Sequence, residues 1–317
     1  EARIRALTGA NYAVATASGS AALHLALVCA GIRPGDKVIV PATTFVATAN
    51  AVRACGAEPV ILDVEPETWG LDPNMVEDYF RKSPGSVSGI LPVHLYGSPC
   101  LLDSIRGLAA RYGVPVIEDA AEALGATYKG IPVGSEGLAC LSFNGNKLIT
   151  TGQGGMVLTN DPAVAEQARF LVNQAKMEDA LYGQGFNYRM ANLNAALGDG
   201  QMETIQERLA SKRSTHAFYS HALPGVFQPP PWVSSSHWLS VLTVEDAGAV
   251  RSRLLASGVE ARRVWRPLNH HPHLKDCEVP FGVDHAEDFY RTRLTLPSSC
   301  GITDEERQRV VECIRSL

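Results

Sequence analysis

Short apolar runs alternate with longer segments of helical period along the first two-thirds of the chain. Tyr12–Thr16, Lys37–Val40, Pro59–Val64, Ser88–His94 and Val114–Glu118 are rich in β-branched residues and read as buried strands. Between them, Glu1–Leu7, Ser20–Ala30, Phe45–Cys55, Asn74–Arg81 and Leu101–Tyr112 carry helix-spaced apolar positions, and Gly31 and Gly56 close two of these segments. Cys140–Phe143 and Gly155–Thr159 add two more strands, the second expected at an edge or turning back. Strands of this length separated by helices predict βα units around a mostly parallel sheet.

The pattern changes after about residue 195. Gln201–Tyr219 reads as a long charged helix, and Pro224–Trp232 as a proline-rich connector. Strands at Leu239–Val244 and Glu260–Val264 and helices at Ala249–Ser257 and Asp304–Leu317 follow, which is an α+β pattern. The expected division is a large α/β domain over residues 1–200, then a linking helix and a smaller C-terminal α+β domain over 201–317.

Composition narrows the function classes. Of 317 residues, 45% are apolar and 19% charged, enough apolar residues for a large core and too many for disorder. The net charge of −5 provides no basic field, so no nucleic-acid partner is expected. Every apolar stretch is interrupted well before the ~20 residues of a membrane helix. The seven cysteines include no Cys-x-x-Cys pair and read as reduced thiols of a cytoplasmic protein. His270-His271-Pro272-His273 and the run ending at His237 are not expected to bind metal, because adjacent loop side chains point apart.

In an open parallel sheet, ligands gather at the carboxyl ends of the strands, and three groups fall there. Ala17-Ser18-Gly19-Ser20-Ala21 joins a strand to a helix, where small residues and the helix N-terminus suit a phosphate as well as an ordinary Ser cap. Glu118-Asp119-Ala120-Ala121-Glu122 puts carboxylates directly after a buried strand, costly unless a cation or a cap faces them. Ser142-Phe143-Asn144-Gly145-Asn146-Lys147 places a lysine after a strand, and a Gly-rich turn follows. Such a lysine is either a solvated loop residue or a Schiff-base lysine. No Walker loop or dinucleotide fingerprint occurs, so nucleotide hydrolysis and nicotinamide chemistry lose ground. A phosphate site, a carboxylate for a ring nitrogen and a lysine for an aldehyde together form the set required by pyridoxal 5′-phosphate.

These stretches, with Pro41–Asn50 and Phe186-Asn187-Tyr188-Arg189-Met190 in the same order, resemble the DegT-type nucleotide-sugar aminotransferases of fold type I. The resemblance implies that Lys147 bonds to the cofactor and shuttles the proton, and that Asp119 holds the pyridinium proton. It places Ser18, Gly19, Ser20, Ala21, Ser142 and Asn144 around the phosphate, Phe45 on the ring, and Glu122 toward the phenolic oxygen or the sugar. Asn187 would reach the phosphate of a neighbouring subunit, making a homodimer with shared sites. Arg262 and Trp265 would contact the substrate.

Asn144-Gly145-Asn146-Lys147 and Leu95-Tyr96-Gly97 are most similar to the branch acting in bacillosamine- and legionaminic-acid-type pathways. This implies glutamate as donor and UDP-2-acetamido-4-keto-2,6-dideoxyhexose as acceptor. A PLP-dependent sugar dehydratase on the same scaffold would carry histidine in place of Lys147. A non-catalytic regulator binding PLP or a sugar nucleotide is the other alternative. Glu1 rather than Met opens the chain, and members of the family carry residues ahead of it that contact the nucleotide sugar, so an upstream start is expected.

Overall fold

The computed structural model describes all 317 residues, Glu1 to Leu317. Seven strands form the central sheet: β1 Tyr12–Thr16, β2 Lys37–Pro41, β3 Glu58–Leu62, β4 Gly89–Ile90, β5 Ile117–Asp119, β6 Leu138–Ser142 and β7 Gly155–Thr159. Their order is β1-β7-β6-β5 on one side and β4-β2-β3 on the other. Parallel bridges Ile90 to Val116 and Val93 to Asp119 join the halves between β4 and β5. All neighbours are parallel except β7, which runs against both β1 and β6. The Gly155–Thr159 segment therefore turns back as expected, but in the interior of the sheet rather than at its edge.

Helices α1 Ala2–Thr8, α2 Gly19–Cys29, α3 Ala47–Ala54, α4 Pro73–Lys82, α5 Leu102–Tyr112 and α6 Pro162–Val172 flank this sheet. Strand alternation decides which face each side chain serves. Val38, Val40 and Ile61 pack with α2 and α3, whereas Ile39, Val60 and Leu62 pack with Tyr79 and Phe80 of α4 and Ile105 of α5. Both faces are covered, which explains why the strands read as unbroken apolar runs.

The C-terminal part holds α7 Asn192–Met202, α8 Ile205–Ala222, α9 Ala247–Ala256, α10 Asp284–Thr292 and α11 Asp304–Arg315. An antiparallel sheet runs β8-β10-β9, with β8 Ser240–Thr243, β9 Arg262–Arg263 and β10 Arg293–Leu296. The single helix expected over Gln201–Tyr219 is two helices interrupted at Glu203 and Thr204, whose amides bond back to Gly200 and Gln201. The strand expected over Ser88–His94 is regular only at Gly89–Ile90, because its remainder turns toward a one-turn 3₁₀ segment at Leu95–Gly97. β10 carries arginine and threonine at alternate positions and lacked a strand-like run, yet it is the central strand of its sheet.

One glycine contact couples the sheet to the helix that matters below. A Cβ on Gly155 would fall 2.4 Å from the Ser18 carbonyl oxygen and 2.7 Å from the Gly19 nitrogen. Neither backbone atom can yield without moving the start of α2. Gly155→Ala is therefore expected to lower the stability of the cofactor-free protein by about 1–3 kcal/mol, read from the midpoint of urea unfolding.

Candidate active site

The candidate residues at Ser18–Ala21, Asp119–Glu122 and Ser142–Lys147 lie where strands of the central sheet end. β1 hands over to α2 through Ser18, whose side chain caps the helix by accepting from the Ala21 amide at 3.1 Å. The Gly19 and Ser20 amides, in the first turn, have no acceptor within the helix and stay available to an anion. The Ala21 amide is already committed to Ser18, so the anticipated phosphate contact at Ala21 does not come from its N–H. Gly19 matters for packing: a Cβ there would meet the Ser142 Cβ at 2.8 Å. Its absence lets the end of β6 approach the start of α2.

Asp119 ends β5 and is 5% exposed. Its Oδ2 accepts from the Thr48 hydroxyl at 2.7 Å and its Oδ1 from the Ala121 amide at 3.1 Å. Thr44 and Thr48 share a further hydroxyl–hydroxyl bond at 2.8 Å. Burial raises the Asp119 pKa above its ordinary value, while these donors and nearby Lys147 pull the other way without cancelling it.

Lys147 sits in the turn after β6, its amine 3.6 Å from Glu122 Oε1 and 4.0 Å from the centre of the Trp238 ring. Glu122 is also buried, and its other oxygen accepts from the Tyr96 amide at 2.7 Å. Burial again raises this carboxyl's pKa, against the pull of Lys147. Tyr96 holds a left-handed backbone, with φ of 52°, and its hydroxyl accepts from the Trp265 amide at 2.9 Å. The Trp238 indole donates to the Asn146 carbonyl at 2.9 Å. The Lys147 amine and the Glu122 carboxyl thus sit among aromatic residues, and the buried Asp119 carboxyl lines the same cleft.

These elements bound a cleft of about 490 Å³. Ser18, Gly19, Ser20, Phe45, Asp119, Glu122, Ser142, Asn144, Lys147 and Trp265 all line it, so the structure brings most of the anticipated residues together. Phe45 is half-exposed at the rim and packs on Trp265, with ring centres 5.1 Å apart. Asn187 is exposed and lies outside the cleft. Arg262 does not reach it either: Glu260 takes the guanidinium at 2.6 Å, and the residue faces an adjoining cleft that shares Trp238 and Trp265 as walls. Sequence reasoning missed Thr48, Tyr96 and Trp238 as site residues. Thr48 and Tyr96 did lie in stretches that carried the resemblance, Pro41–Asn50 and Leu95-Tyr96-Gly97, whereas Trp238 lay in none.

No group of three or more His, Cys, Asp or Glu side chains is arranged to hold a metal ion. His270 pairs with Glu287 and His273 with Asn50. All seven cysteines are free, and no helix is long and apolar enough to cross a membrane.

The cleft suits a flat cation carrying a phosphate tail. Asp119 is a buried carboxyl that a protonated ring nitrogen would keep ionised, and the open amides and hydroxyls at α2 and Ser142 suit the phosphate. Comparison with known proteins agrees. Residues 1–315 match the DegT/DnrJ/EryC1/StrS aminotransferase family. The chain is 39% identical to EpsN of Bacillus subtilis, named as a pyridoxal phosphate-dependent aminotransferase, over 98% of this chain and 84% of that protein. It is also 39% identical to the GDP-perosamine synthase of Caulobacter vibrioides, over 96% and 85% of the two chains. The structure of DesV from S. venezuelae, in complex with a ketimine intermediate, superposes with a TM-score of 0.94 at 32% identity, covering 100% of this chain and 87% of that one. The chain belongs to the DegT/DnrJ/EryC1/StrS family of sugar aminotransferases, with the fold type I architecture and a pyridoxal phosphate cofactor.

The carboxyl pKa values generate a stability prediction. A carboxyl that holds its proton more firmly folded than unfolded costs the fold more as pH rises past the ordinary carboxylate range. Glu122→Gln removes that cost and still accepts from Tyr96. The cofactor-free variant should melt a few °C above the parent near pH 8, on the order of 1 kcal/mol, with the gap closing toward about pH 4. Calorimetry across that range checks it.

Proposed function

We propose that this chain transfers the amino group of glutamate to a keto group on a nucleotide-linked 4-keto-6-deoxy sugar, with Lys147 as the group that binds the cofactor and moves the proton. The observation that carries the reading is the shared cleft, which Lys147 lines together with the buried Asp119 carboxyl and the open N-terminus of α2.

Pyridoxal phosphate, when bound, supplies an electron sink that acidifies the C–H beside an attached amino group. The chain supplies the rest. Asp119, oriented by Thr48 and Ala121, is proposed to hold the ring-nitrogen proton. Lys147, once its amine is free, would take the proton from the donor's α-carbon in the first half-reaction and would deliver a proton to the sugar carbon in the second. Glu122 at 3.6 Å keeps a counter-charge beside the amine through both halves. The rings of Trp238, Tyr96 and Trp265 limit water around that amine, which strengthens each of these electrostatic contacts. Ser18, Gly19, Ser20, Ser142 and Asn144 are proposed to seat the phosphate, Phe45 to cover the ring, and Trp265 to contact the sugar.

For the acceptor, UDP-2-acetamido-4-keto-2,6-dideoxyhexose is the first reading, supported by the Asn144–Lys147 motif. A GDP-linked sugar is the second. The synthases of Caulobacter vibrioides and Escherichia coli O157:H7, 39% and 36% identical to this chain, are both named for GDP-perosamine.

A homodimer is also proposed, with Asn187 completing the partner copy's site. Met177, Leu181, Tyr182, Leu193 and Leu197 are exposed apolar side chains on the segments flanking Asn187, as a contact with a second copy would require. Light scattering should give twice the chain mass, and a monomeric, fully active protein would exclude shared sites.

Borohydride treatment of the loaded protein should fix the pyridoxyl group on Lys147, located by peptide mass mapping. Lys147→Ala should fold but lose about 10²–10⁴-fold or more of the rate in both half-reactions. Incubation with glutamate and a panel of UDP- and GDP-linked 4-keto sugars, with product identification, decides the acceptor. Label on another lysine, or transfer by the alanine variant without added amine, would overturn the assignment.

A further inference from the structure

Lys212 is a buried cation with no part in the chemistry above. It lies on α8, 6% exposed, with no carboxylate beside it. Its amine donates instead to two main-chain carbonyls, those of Trp238 at 2.8 Å and of Ser298. Burial pulls the ammonium's pKa below its ordinary value, so the arrangement costs stability. An apolar side chain of similar length would fill the same space without that cost. What lysine adds is directional: one ammonium with three donors can grip two carbonyls at once.

The first carbonyl belongs to the residue that walls the reactive amine. The Trp238 indole lies 4.0 Å from Lys147 Nζ, and its N–H holds the carbonyl of Asn146, the residue just before Lys147. The segment leading into Trp238 is fastened to the same site from the other side. Ser235 donates to the Gly97 carbonyl and Ser236 to the Glu122 carbonyl, each at 2.9 Å. His237 takes a left-handed backbone with φ of 48°, its ring stacked on His216 at 3.8 Å. Trp238 is thus pinned between the Tyr96–Glu122 wall and α8. On the α8 side, the Lys212 ammonium grips its carbonyl.

We propose that Lys212 is a positioning residue for Lys147: by holding the Trp238 carbonyl it sets the depth of the indole, and so the placement and shielding of the reactive amine. The proposal rests on the reading of Lys147 as that amine. Misplacement of a reacting group by ~1 Å can cost about 10²-fold in rate, so a grip of this kind can matter as much as a direct contact.

Lys212→Met keeps the stem and removes the donors. The expected result is a kcat lower by about tenfold or more, with the KM for the keto sugar within about threefold. In the cofactor-free protein, acylation of Lys147 by an amine-directed reagent, followed by peptide mass mapping, should change in rate by about threefold or more. In a Trp238→Ala background the same substitution should add nothing to either readout, because the path runs through Trp238. A Lys212→Met protein that melts earlier but keeps the parent kcat and Lys147 acylation rate would overturn the proposal, as would full additivity with Trp238→Ala. If the Met variant does not fold, Lys212→Gln, which retains one donor group, is read by the same criteria. Failure of the Lys147 reading would show separately, as borohydride label on another residue of the parent protein.

Discussion

A carboxyl group at the end of a buried strand is stable as an anion only when a cation or several donors face it. Asp119 has two donors, Thr48 and Ala121, and a lysine in the same cleft, and still its pKa is raised. This deficit organises the site. A protonated heterocycle would satisfy it, and the unpaired amides at the start of α2 would suit a phosphate at the ligand's other end. The same deficit explains why the cofactor-free cleft is electrostatically uncomfortable: a second buried carboxyl, Glu122, faces the single Lys147 amine. Stability given up in the empty protein is regained when a cationic ring arrives, which makes cofactor binding and folding stability two readings of one term.

Asp119 can be held this way because its main chain is fixed on both sides. Its amide donates to Pro92 and its carbonyl accepts from His94, the contacts that stitch β5 to the chain after β4. That seam is otherwise thin, since regular pairing there is reduced to isolated bridges. A buried charge network crosses it: His94 meets Glu118 at 3.1 Å, and Glu118 meets Arg106 at 2.7 Å. Burial opposes the Glu118 charge, but His94 and Arg106 hold its pKa below the ordinary value. Adjacent carboxyls on one strand therefore behave oppositely, Glu118 ionised and structural on one face, Asp119 turned to the cleft on the other.

Much of this was legible in the chain itself, for reasons that differ by element. β2 and β3 are buried on both faces and wrote themselves as unbroken apolar runs. The site motifs at Ser18, Asp119 and Lys147 were legible because parallel strands deliver their chemistry at their carboxyl ends, a local rule. The α6 and α7 helices left weaker patterns, and the polar–apolar alternation of β10 spans only four residues, too short to stand out without the two strands that flank it. The break between α7 and α8 is marked by no proline and rests on local turns at Glu203 and Thr204. Tyr96, Trp238 and Lys212 were out of reach for a stronger reason. Each acts through a main-chain group of a residue at least 26 positions away: the Trp265 amide, the Asn146 carbonyl and the Trp238 carbonyl. Backbone acceptors carry no signature in side-chain pattern.

Arg262 is placed differently from the cleft-lining residues, on the adjoining cleft that shares Trp238 and Trp265. Segment similarity assigned it to the substrate, and here its guanidinium bonds to the carboxylate of Glu260, two residues away. Trp265, on the same segment, has its main-chain N–H tied to the Tyr96 hydroxyl. That bond, with the strained Tyr96 backbone and the Glu122 contact at its amide, runs unbroken from the C-terminal segment to the carboxyl beside Lys147. A movement of the β9 segment therefore cannot leave Glu122 unchanged. The chain's two parts meet through hydrogen bonds that end on the Glu122 carboxyl beside Lys147, so how the C-terminal part seats on the sheet bears directly on the geometry of the candidate site.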